Sequence, residues 1–215
     1  MSGNGIKALL FDLGNVLVDF DHWIAVKKLA PLSGKSPDEI YSLFFDSELT
    51  QLFEEGKISP EDFFIQITQA LGVSVPFTQF LPIWNNIFFQ TAENRLVYSL
   101  VRTLKAKYRV GLISNINTLH FEFLRQTTPI FDAFDFLITS YTVGAVKPKP
   151  RIYQAALEAA GARAQESFYV DDRIELIRAA RTLGMHAYVY TGFAQLALDL
   201  AGCGIAQGAL HSENA

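Results

Sequence analysis

Five short apolar runs along the chain lack the polar alternation of strands that are exposed on one face. They span residues 7–11, 110–114, 136–139, 168–170 and 187–190. Continuous apolar strands are expected where helices cover both faces of a parallel sheet. Three stretches between the later runs have the pattern of helices: residues 119–126, 152–160 and 174–183. This alternation predicts right-handed βαβ units and a doubly wound α/β domain.

Residues 19–90 interrupt the alternation, because no strand pattern is visible in them. The segments SPDE at 36–39 and SPED at 59–62 each combine a capping Ser with a Pro at the first helical position and an acidic residue two positions later, which predicts two helix starts. Nine of the 18 phenylalanines fall between Phe44 and Phe89, which favours the core of a helical bundle over an aromatic ligand site. We therefore predict a helical module inserted after the first strand of an α/β domain.

Composition excludes several classes of protein. Hydrophobic residues make up 50% of the chain and charged residues 19%, so an unfolded protein is excluded. The net charge is −4 without a run of like charges, so we expect neither a nucleic-acid partner nor a membrane surface. The single Cys203 cannot form an internal disulfide, which fits a reducing compartment. With no signal-peptide pattern at the N-terminus, we expect a soluble cytoplasmic protein.

Polar side chains follow four of the five predicted strands. Ligands of open α/β sheets bind beyond the carboxyl ends of the strands, so these side chains are candidates for chemistry. Two adjacent carboxylates repel each other unless a cation or a donor compensates. Three carboxylates with a lysine and a hydroxyl suit Mg²⁺ and a phosphate group. Taken along the chain, these candidate residues are Asp12 after the first strand, Ser114 and Asn115 after the second, Lys147 after the third, and Asp171 and Asp172 after the fourth.

The same four segments resemble motifs I to IV of the haloacid dehalogenase (HAD) superfamily, and residues 19–90 are similar to its helical C1 cap. The motifs are FDLGNVLVD at 11–19, ISN at 113–115, KPKPRIY at 147–153 and the Asp pair at 171–172. The resemblance implies a HAD-like fold with a Rossmann-like catalytic core, formed by residues 1–18 plus 91–215. It also implies a Mg²⁺-dependent hydrolase of a small phosphate ester, with a sugar phosphate favoured. Motifs I and II look most like the branch that contains α-D-glucose-1-phosphate phosphatase.

The resemblance implies a role for each carboxylate. Asp12 is expected to be the nucleophile that attacks phosphorus and forms an aspartyl-phosphate. The same carboxylate is expected to bind Mg²⁺ together with the Gly14 backbone carbonyl and Asp171. Asp172 is expected to support the metal directly or through water. Glu175, one helical turn further on, is either part of the surroundings of the metal or an exposed helix carboxylate.

The resemblance implies three residues for the phosphate group. Ser114 and the backbone N–H of Asn115 are expected to hold the oxygens of the transferring phosphoryl group. Lys147 is expected to pair with Asp12 and with the phosphate, which keeps the nucleophile ionised and oriented. Asp12 and Lys147 are thus the two catalytic residues that the sequence predicts.

Gly14 departs from the HAD pattern, because most phosphatases of the superfamily carry a second Asp there as general acid and base. A positioned proton donor contributes roughly 10²–10⁴-fold to the rate. We therefore expect a preference for substrates with good leaving groups, such as sugar 1-phosphates or aryl phosphates. Asp19, Asp21 and His22 are possible substitute donors, although each is more often a linker or capping residue. His120 is expected to be structural.

Three other functions stay open at this point. Gly14 also suits a phosphosugar-binding module of the HAD type that has lost efficient catalysis. Carbon–halogen hydrolysis ranks lower, because it needs no metal and leaves the pair Asp171-Asp172 unexplained. A phosphomutase ranks lower too, because it normally requires the missing acid and base. The sequence does not predict the oligomeric state.

Overall fold

The computed structural model of the chain describes residues 5–205. The strands of this part are β1 (Ala8–Phe11), β2 (Asp19–Phe20), β3 (Phe88–Phe89), β4 (Arg109–Ser114), β5 (Phe136–Thr139), β6 (Ser167–Asp171) and β7 (His186–Val189). Its α-helices are α1 (Trp23–Leu29), α2 (Pro37–Phe45), α3 (Glu48–Glu54), α4 (Pro60–Leu71), α5 (Phe77–Asn85), α6 (Ala92–Leu104), α7 (Thr118–Thr127), α8 (Ser140–Val143), α9 (Pro150–Ala160), α10 (Ile174–Thr182) and α11 (Phe193–Gly202). None of these helices has the length and apolar character that a membrane crossing requires.

Five parallel strands form the central sheet in the order β5-β4-β1-β6-β7. Side chains alternate between the two faces of a strand, so Leu9 and Phe11 of β1 pack with α6, α7 and α11, while Leu10 packs with α9 and α10 on the other face. Every residue of β1 and β6 is buried, because helices cover both faces. The predicted doubly wound α/β fold is confirmed.

The strands and helices of this sheet agree closely with the sequence pattern. Each of the five apolar runs is a strand, and the predicted ends differ from the observed ones by at most one residue. The three predicted helices correspond to α7, α9 and α10, with ends that differ by at most two residues. Unbroken apolar runs are a strong signal because strands that are buried on both faces tolerate few polar side chains.

Helices α1 to α5 form a second hydrophobic cluster between β2 and β3. The two predicted helix starts are confirmed: the Ser36 Oγ accepts from the N–H of Glu39 at 3.3 Å, and the Ser59 Oγ accepts from the N–H of Asp62 at 3.0 Å. Several aromatic side chains are the core of this cluster, as the sequence predicts: Phe44, Phe53, Phe63, Phe80 and Trp84. We call the segment 19–90 the cap, and its status as a separate domain stays a prediction.

The expectation that residues 19–90 contain no strand is wrong. Strands β2 and β3 pair antiparallel, with Asp19 opposite Phe89 and Phe20 opposite Phe88. The N–H of Asp21 extends the pairing with a 2.9 Å hydrogen bond to the Ile87 carbonyl. Two-residue strands are too short to show an alternating pattern, and they form here because the chain enters and leaves the cap side by side.

Candidate active site

A cavity of about 360 Å³ opens where β1, β4 and β6 end. Asp12 follows β1, Ser114 ends β4 and Asp172 follows β6, and all three line this cavity. Lys147 also lines it, from the loop between α8 and α9. Because the carboxyl ends of parallel strands meet at one edge of a sheet, residues that are distant in sequence face the same space. The cap closes the opposite side with a set of mainly aromatic residues: Phe20, His22, Tyr41, Phe45, Trp84 and Phe88.

Lys147 joins two of the carboxylates at the bottom of the site. Its Nζ donates to Asp12 Oδ1 and to Asp171 Oδ2, each at 2.7 Å, and to the Ile113 carbonyl at 3.2 Å. Burial lowers the pKa of Lys147, but the charges of Asp12 and Asp171 outweigh burial and hold it above its usual value. The ammonium group therefore stays charged, with no proton to give at neutral pH.

The pKa values of the two carboxylates beside Lys147 are shifted in opposite directions. Burial, followed by the charge of Asp171, raises the pKa of Asp12 to about 7, against the opposing effect of Lys147. Burial also raises the pKa of Asp171, but Lys147, the Tyr169 hydroxyl and the backbone N–H of Arg173 donate to its carboxylate and hold its pKa below the usual value. The network stabilises Asp171 as an anion, whereas burial and the charge of Asp171 disfavour the ionised form of Asp12.

The donor set fits a small, hard divalent cation. Asp12, Asp171 and Asp172 each offer a carboxylate oxygen, and these oxygens lie within 4.8 Å of one another. Burial is the main reason that the pKa of Asp172 is also raised, and Asn15 Nδ2 donates to Asp172 Oδ2 at 2.8 Å. A divalent cation relieves such a concentration of buried negative charge, and Mg²⁺ is bound through carboxylates of this kind. Gly14 lines the same cavity.

The predicted phosphate-binding residues Ser114 and Asn115 lie at the carboxyl end of β4. The Ser114 side chain is buried at the cavity wall, and its hydroxyl makes no hydrogen bond to any residue in the described part of the chain. The Asn115 side chain makes a reciprocal pair with the Lys147 backbone: Oδ1 accepts from the N–H at 2.7 Å and Nδ2 donates to the carbonyl at 3.0 Å. This pairing fixes the Lys147 backbone. The sequence does not predict such a role for the Asn115 side chain.

Gly14 has no space for a side chain in this structure. A Cβ at this position would lie 2.7 Å from Cε1 of Phe20, whose ring contacts His22 and Phe88. The Phe20 ring therefore occupies the space in which an acid at position 14 would stand. Any other residue at position 14 would require the aromatic wall of the cap to move away from the loop after β1.

We expect Gly14→Ala to lower the free energy of unfolding by about 1–3 kcal/mol, because the methyl group forces the Phe20 ring to move. Urea denaturation measures the change. Gly34→Ala is the control, since its Cβ would meet nothing within 4 Å. In a Phe20→Leu background, Gly14→Ala should lower the free energy of unfolding by less than it does in the wild type. If the losses of the two single variants simply add up in the double variant, this explanation is contradicted.

The predicted substitute proton donors do not suit that role. Asp19 accepts from Asn94 Nδ2 at 3.0 Å, and Asp21 accepts from the N–H of Trp23 at 2.9 Å at the start of α1. His22 lines the cavity, but it stacks on Phe45 with ring centroids 3.6 Å apart, and burial lowers its pKa to about 4. His22 is therefore neutral at pH 7.

His120 is structural, as expected, although it lines the cavity. Its Nε2 lies 3.0 Å from the Trp84 carbonyl, which only accepts, so this nitrogen carries the hydrogen and Nδ1 accepts from Asn117 Nδ2. Burial lowers its pKa to about 3. For Glu175, the second interpretation holds: the side chain is exposed and pairs with Arg173 at 2.6 Å.

Three charged residues of the cavity have no distinguishing signal in the sequence: Asp46, Glu54 and Arg173. Glu54 ends α3 in the cap, and Arg173 follows the pair Asp171-Asp172. In the sequence, Glu54 belongs to an acidic pair with Glu55 that resembles the end of an ordinary surface helix. No periodicity or spacing distinguishes these residues, because only the docking of the cap places Glu54 above the sheet.

Comparison with known proteins agrees with this geometry. The sequence model of the haloacid dehalogenase-like hydrolases matches residues 6–184. The chain belongs to this family. The predicted family and enzyme class are confirmed, whereas the placement in the glucose-1-phosphate phosphatase branch stays a prediction.

Several relatives of this HAD-like hydrolase have names that state an activity. A D-ribitol-5-phosphate phosphatase of Bacteroides thetaiotaomicron is 29% identical, over 85% of this chain and 91% of its own. A glyceraldehyde 3-phosphate phosphatase of Pyrococcus abyssi is 29% identical, over 84% and 79%. Among solved structures, a HAD family enzyme of Bacteroides thetaiotaomicron in complex with magnesium and inorganic phosphate has a TM-score of 0.76 and 29% identity, and the match covers 86% of this chain and 94% of that one.

Proposed function

We propose that this HAD-like hydrolase is a Mg²⁺-dependent phosphatase of a small phosphorylated metabolite and that it acts through an aspartyl-phosphate on Asp12. The arrangement around Lys147 carries the proposal: one buried ammonium group lies 2.7 Å from both Asp12 and Asp171. Asp172 stands beside them, within the group of oxygens that suits a divalent cation. A nucleophilic carboxylate, a metal site and a fixed positive charge are the parts that phosphoryl transfer needs.

In this proposal Asp12 attacks phosphorus and Lys147 orients it. The bond from Nζ to Asp12 Oδ1 fixes the carboxylate and leaves its other oxygen for the attack. The Ser114 hydroxyl, free of partners among the described residues, donates to a phosphoryl oxygen together with the backbone N–H of Asn115. Asn115 also holds the Lys147 backbone through its side chain, so the phosphate contacts and the lysine keep one relative position.

Asp12, Asp171, Asp172 and the Gly14 carbonyl would hold Mg²⁺ in this proposal. The bound ion supplies charge neutralisation for the phosphoryl oxygens. The protein's own contribution is to direct the carboxylates to one point: Asp171 is held as an anion by three donors, and Asp172 is held in place by Asn15. The magnesium and phosphate in the structure of the similar Bacteroides enzyme support the choice of ion.

The size and lining of the cavity suit a small substrate whose alcohol part is hydroxylated or partly apolar. Its volume of about 360 Å³ lies near the lower end for ligand pockets. Aromatic faces from the cap, such as those of Tyr41 and Trp84, suit the C–H face of a sugar or polyol. Two of the relatives are named as phosphatases of D-ribitol 5-phosphate and of glyceraldehyde 3-phosphate. These names support a phosphorylated sugar or polyol as the substrate class.

One rival is a phosphosugar-binding protein with weak catalysis, and Gly14 is the observation that favours it. Binding of a sugar phosphate that needs Mg²⁺ but releases no phosphate would support this rival. Dehalogenation leaves the carboxylates at 171 and 172 unexplained, and a phosphomutase would return an isomeric phosphate ester rather than inorganic phosphate. Product analysis with a phosphate ester therefore separates the phosphatase from the phosphomutase and from the binding protein, and halide release from a haloacid tests the dehalogenase.

We expect the release of inorganic phosphate from a panel of sugar and polyol phosphates to stop when EDTA removes divalent cations and to return with Mg²⁺. Mg²⁺ should also raise the melting temperature, because a ligand of the folded state alone stabilises it. Asp172→Asn should weaken both the activation of phosphate release by Mg²⁺ and the rise in melting temperature that Mg²⁺ causes. Asp62→Asn in the cap is the matched control. Release that is unaffected by EDTA would contradict the proposed metal dependence.

A further inference from the structure

Expulsion of an alcohol from phosphorus requires a proton for the leaving oxygen, and the residues beside Asp12 do not supply one. Gly14 has no side chain, and the Phe20 ring fills the adjacent space. Lys147 is held charged by Asp12 and Asp171. Asp171 has three donors on its carboxylate and a lowered pKa. Asp172 belongs to the proposed metal site, so the acid must come from another wall of the cavity.

The cap side of the cavity offers one suitable group. His22 and His120 are neutral, because burial lowers their pKa values to about 4 and about 3. Asp46 also lines the cavity, but it is exposed at the end of α2. Glu54 is partly buried and lines the same cavity as Asp12, and its carboxylate has no hydrogen bond or ion pair with any residue in the described range 5–205.

The surroundings of Glu54 suit a group that exchanges a proton at neutral pH. Burial raises its pKa to about 7, and the neighbouring carboxylate of Glu55 acts in the same direction. The positive charges of Arg173 and Lys147 oppose this rise without cancelling it. A general acid or base works best when its pKa lies near the working pH.

The neighbours of Glu54 fix it over the site. The buried Glu55 carboxylate accepts from Lys149, from Lys57 at 2.6 Å and from the backbone N–H of Val146 at 3.4 Å. This attaches the end of α3 to the loop that carries Lys147. The next residue, Gly56, has a positive φ of 63°, and a Cβ there would collide with the Tyr141 carbonyl.

We propose that Glu54 is the general acid and base of the reaction, supplied by the cap in place of a side chain at position 14. The inference rests on the proposed function. In the first step Asp12 forms a bond to phosphorus, the bond to the ester oxygen breaks, and Glu54 gives its proton to that oxygen, so that the alcohol leaves. In the second step Glu54 takes a proton from water, the water oxygen bonds to phosphorus, and the bond to Asp12 breaks. Phosphate leaves, and Glu54 is again protonated.

This role changes the expected substrate range. Gly14 alone predicts a preference for good leaving groups, since no acid stands beside Asp12. With Glu54 as the acid, alkyl phosphates such as those of primary alcohols are substrates of the wild-type protein. The preference for good leaving groups should then appear only when Glu54 loses its proton.

The test compares sn-glycerol 3-phosphate, which has an alkyl leaving group, with p-nitrophenyl phosphate, whose leaving group needs no proton. In Glu54→Gln we expect kcat/KM for glycerol 3-phosphate to fall about 10²–10⁴-fold. With p-nitrophenyl phosphate the same variant should release a burst near one equivalent of p-nitrophenol and then turn over slowly, because the second step lacks its base. Such a burst also demonstrates a folded, reactive site.

Glu48→Gln, the same change at the exposed start of α3, should behave as wild type with both substrates. Asp12→Asn should give no burst at all, and a burst in that variant would refute the proposed nucleophile rather than Glu54. The role of Glu54 is overturned if Glu54→Gln hydrolyses glycerol 3-phosphate within threefold of wild type. It is also overturned if the variant loses the burst and the alkyl activity equally, since that result indicates a binding or structural role.

Discussion

Asp12→Asn is expected to abolish phosphate release while the protein remains folded. An amide is a poor nucleophile and does not form the acyl-phosphate bond, so the rate should fall at least about 10⁴-fold, as it does when other enzymes lose their nucleophile. The substitution keeps the size of the side chain, and its amide oxygen can still accept the hydrogen bond that Lys147 Nζ makes to Asp12 Oδ1 at 2.7 Å. Melting followed by circular dichroism should therefore show a cooperative transition.

The matched control for this prediction is Asp38→Asn. Asp38 lies exposed in the first turn of α2, outside the cavity, and the variant should retain wild-type phosphate release. Both variants are compared in the same malachite green assay with saturating Mg²⁺. More than a tenth of wild-type activity in Asp12→Asn would show that phosphorus is attacked by another group, such as water.

Lys147→Met should reduce both activity and stability. We expect phosphate release to fall about 10²–10³-fold, because a fixed charge that stabilises the transferring group is lost. Asp12 and Asp171 would stay buried without their common partner, and breaking a buried ion pair in this way costs about 3–5 kcal/mol. Urea denaturation without divalent cations measures that cost.

Lys149→Met provides the control, two residues away on the same loop. Lys149 is half exposed, and its buried partner Glu55 keeps Lys57 and the backbone N–H of Val146 as donors, so the loss of Lys149 should cost less than the loss of Lys147. Mg²⁺ should stabilise Lys147→Met more than wild type, since the unpaired carboxylates then attract the cation more strongly. Equal stabilisation by Mg²⁺ in both proteins would argue against a cation site at these carboxylates.

The sheet could be predicted from the sequence because its signal is local. Strands such as β1 and β6 are buried on both faces, so each appears as an unbroken apolar run. The residues at the strand ends follow from the same signal, since parallel strands of one sheet end at one edge. The same signal predicts that Asp12 and Asp171 are neighbours, whereas Lys147 reaches both of them from the loop between α8 and α9.

The cap could be predicted only in outline. Its helix starts at Ser36 and Ser59 have local capping signals, and both form. Strands β2 and β3 have no such signal, because two residues pair only when the ends of the cap meet. The side chains that the cap presents to the cavity depend on how it docks, which local sequence does not encode.

The amino-acid sequence by itself determined the α/β class, the inserted helical segment and the group of carboxylates and lysine at the ends of the strands. These features depend on hydrophobic periodicity and on residues next to predicted strands, which are interactions over a few positions. The tertiary structure decided that Phe20 fills the space beside Gly14, that Asn115 holds the Lys147 backbone and that Glu54 enters the cavity. Each of these contacts joins segments far apart in the chain, and the packing of the whole fold selects them.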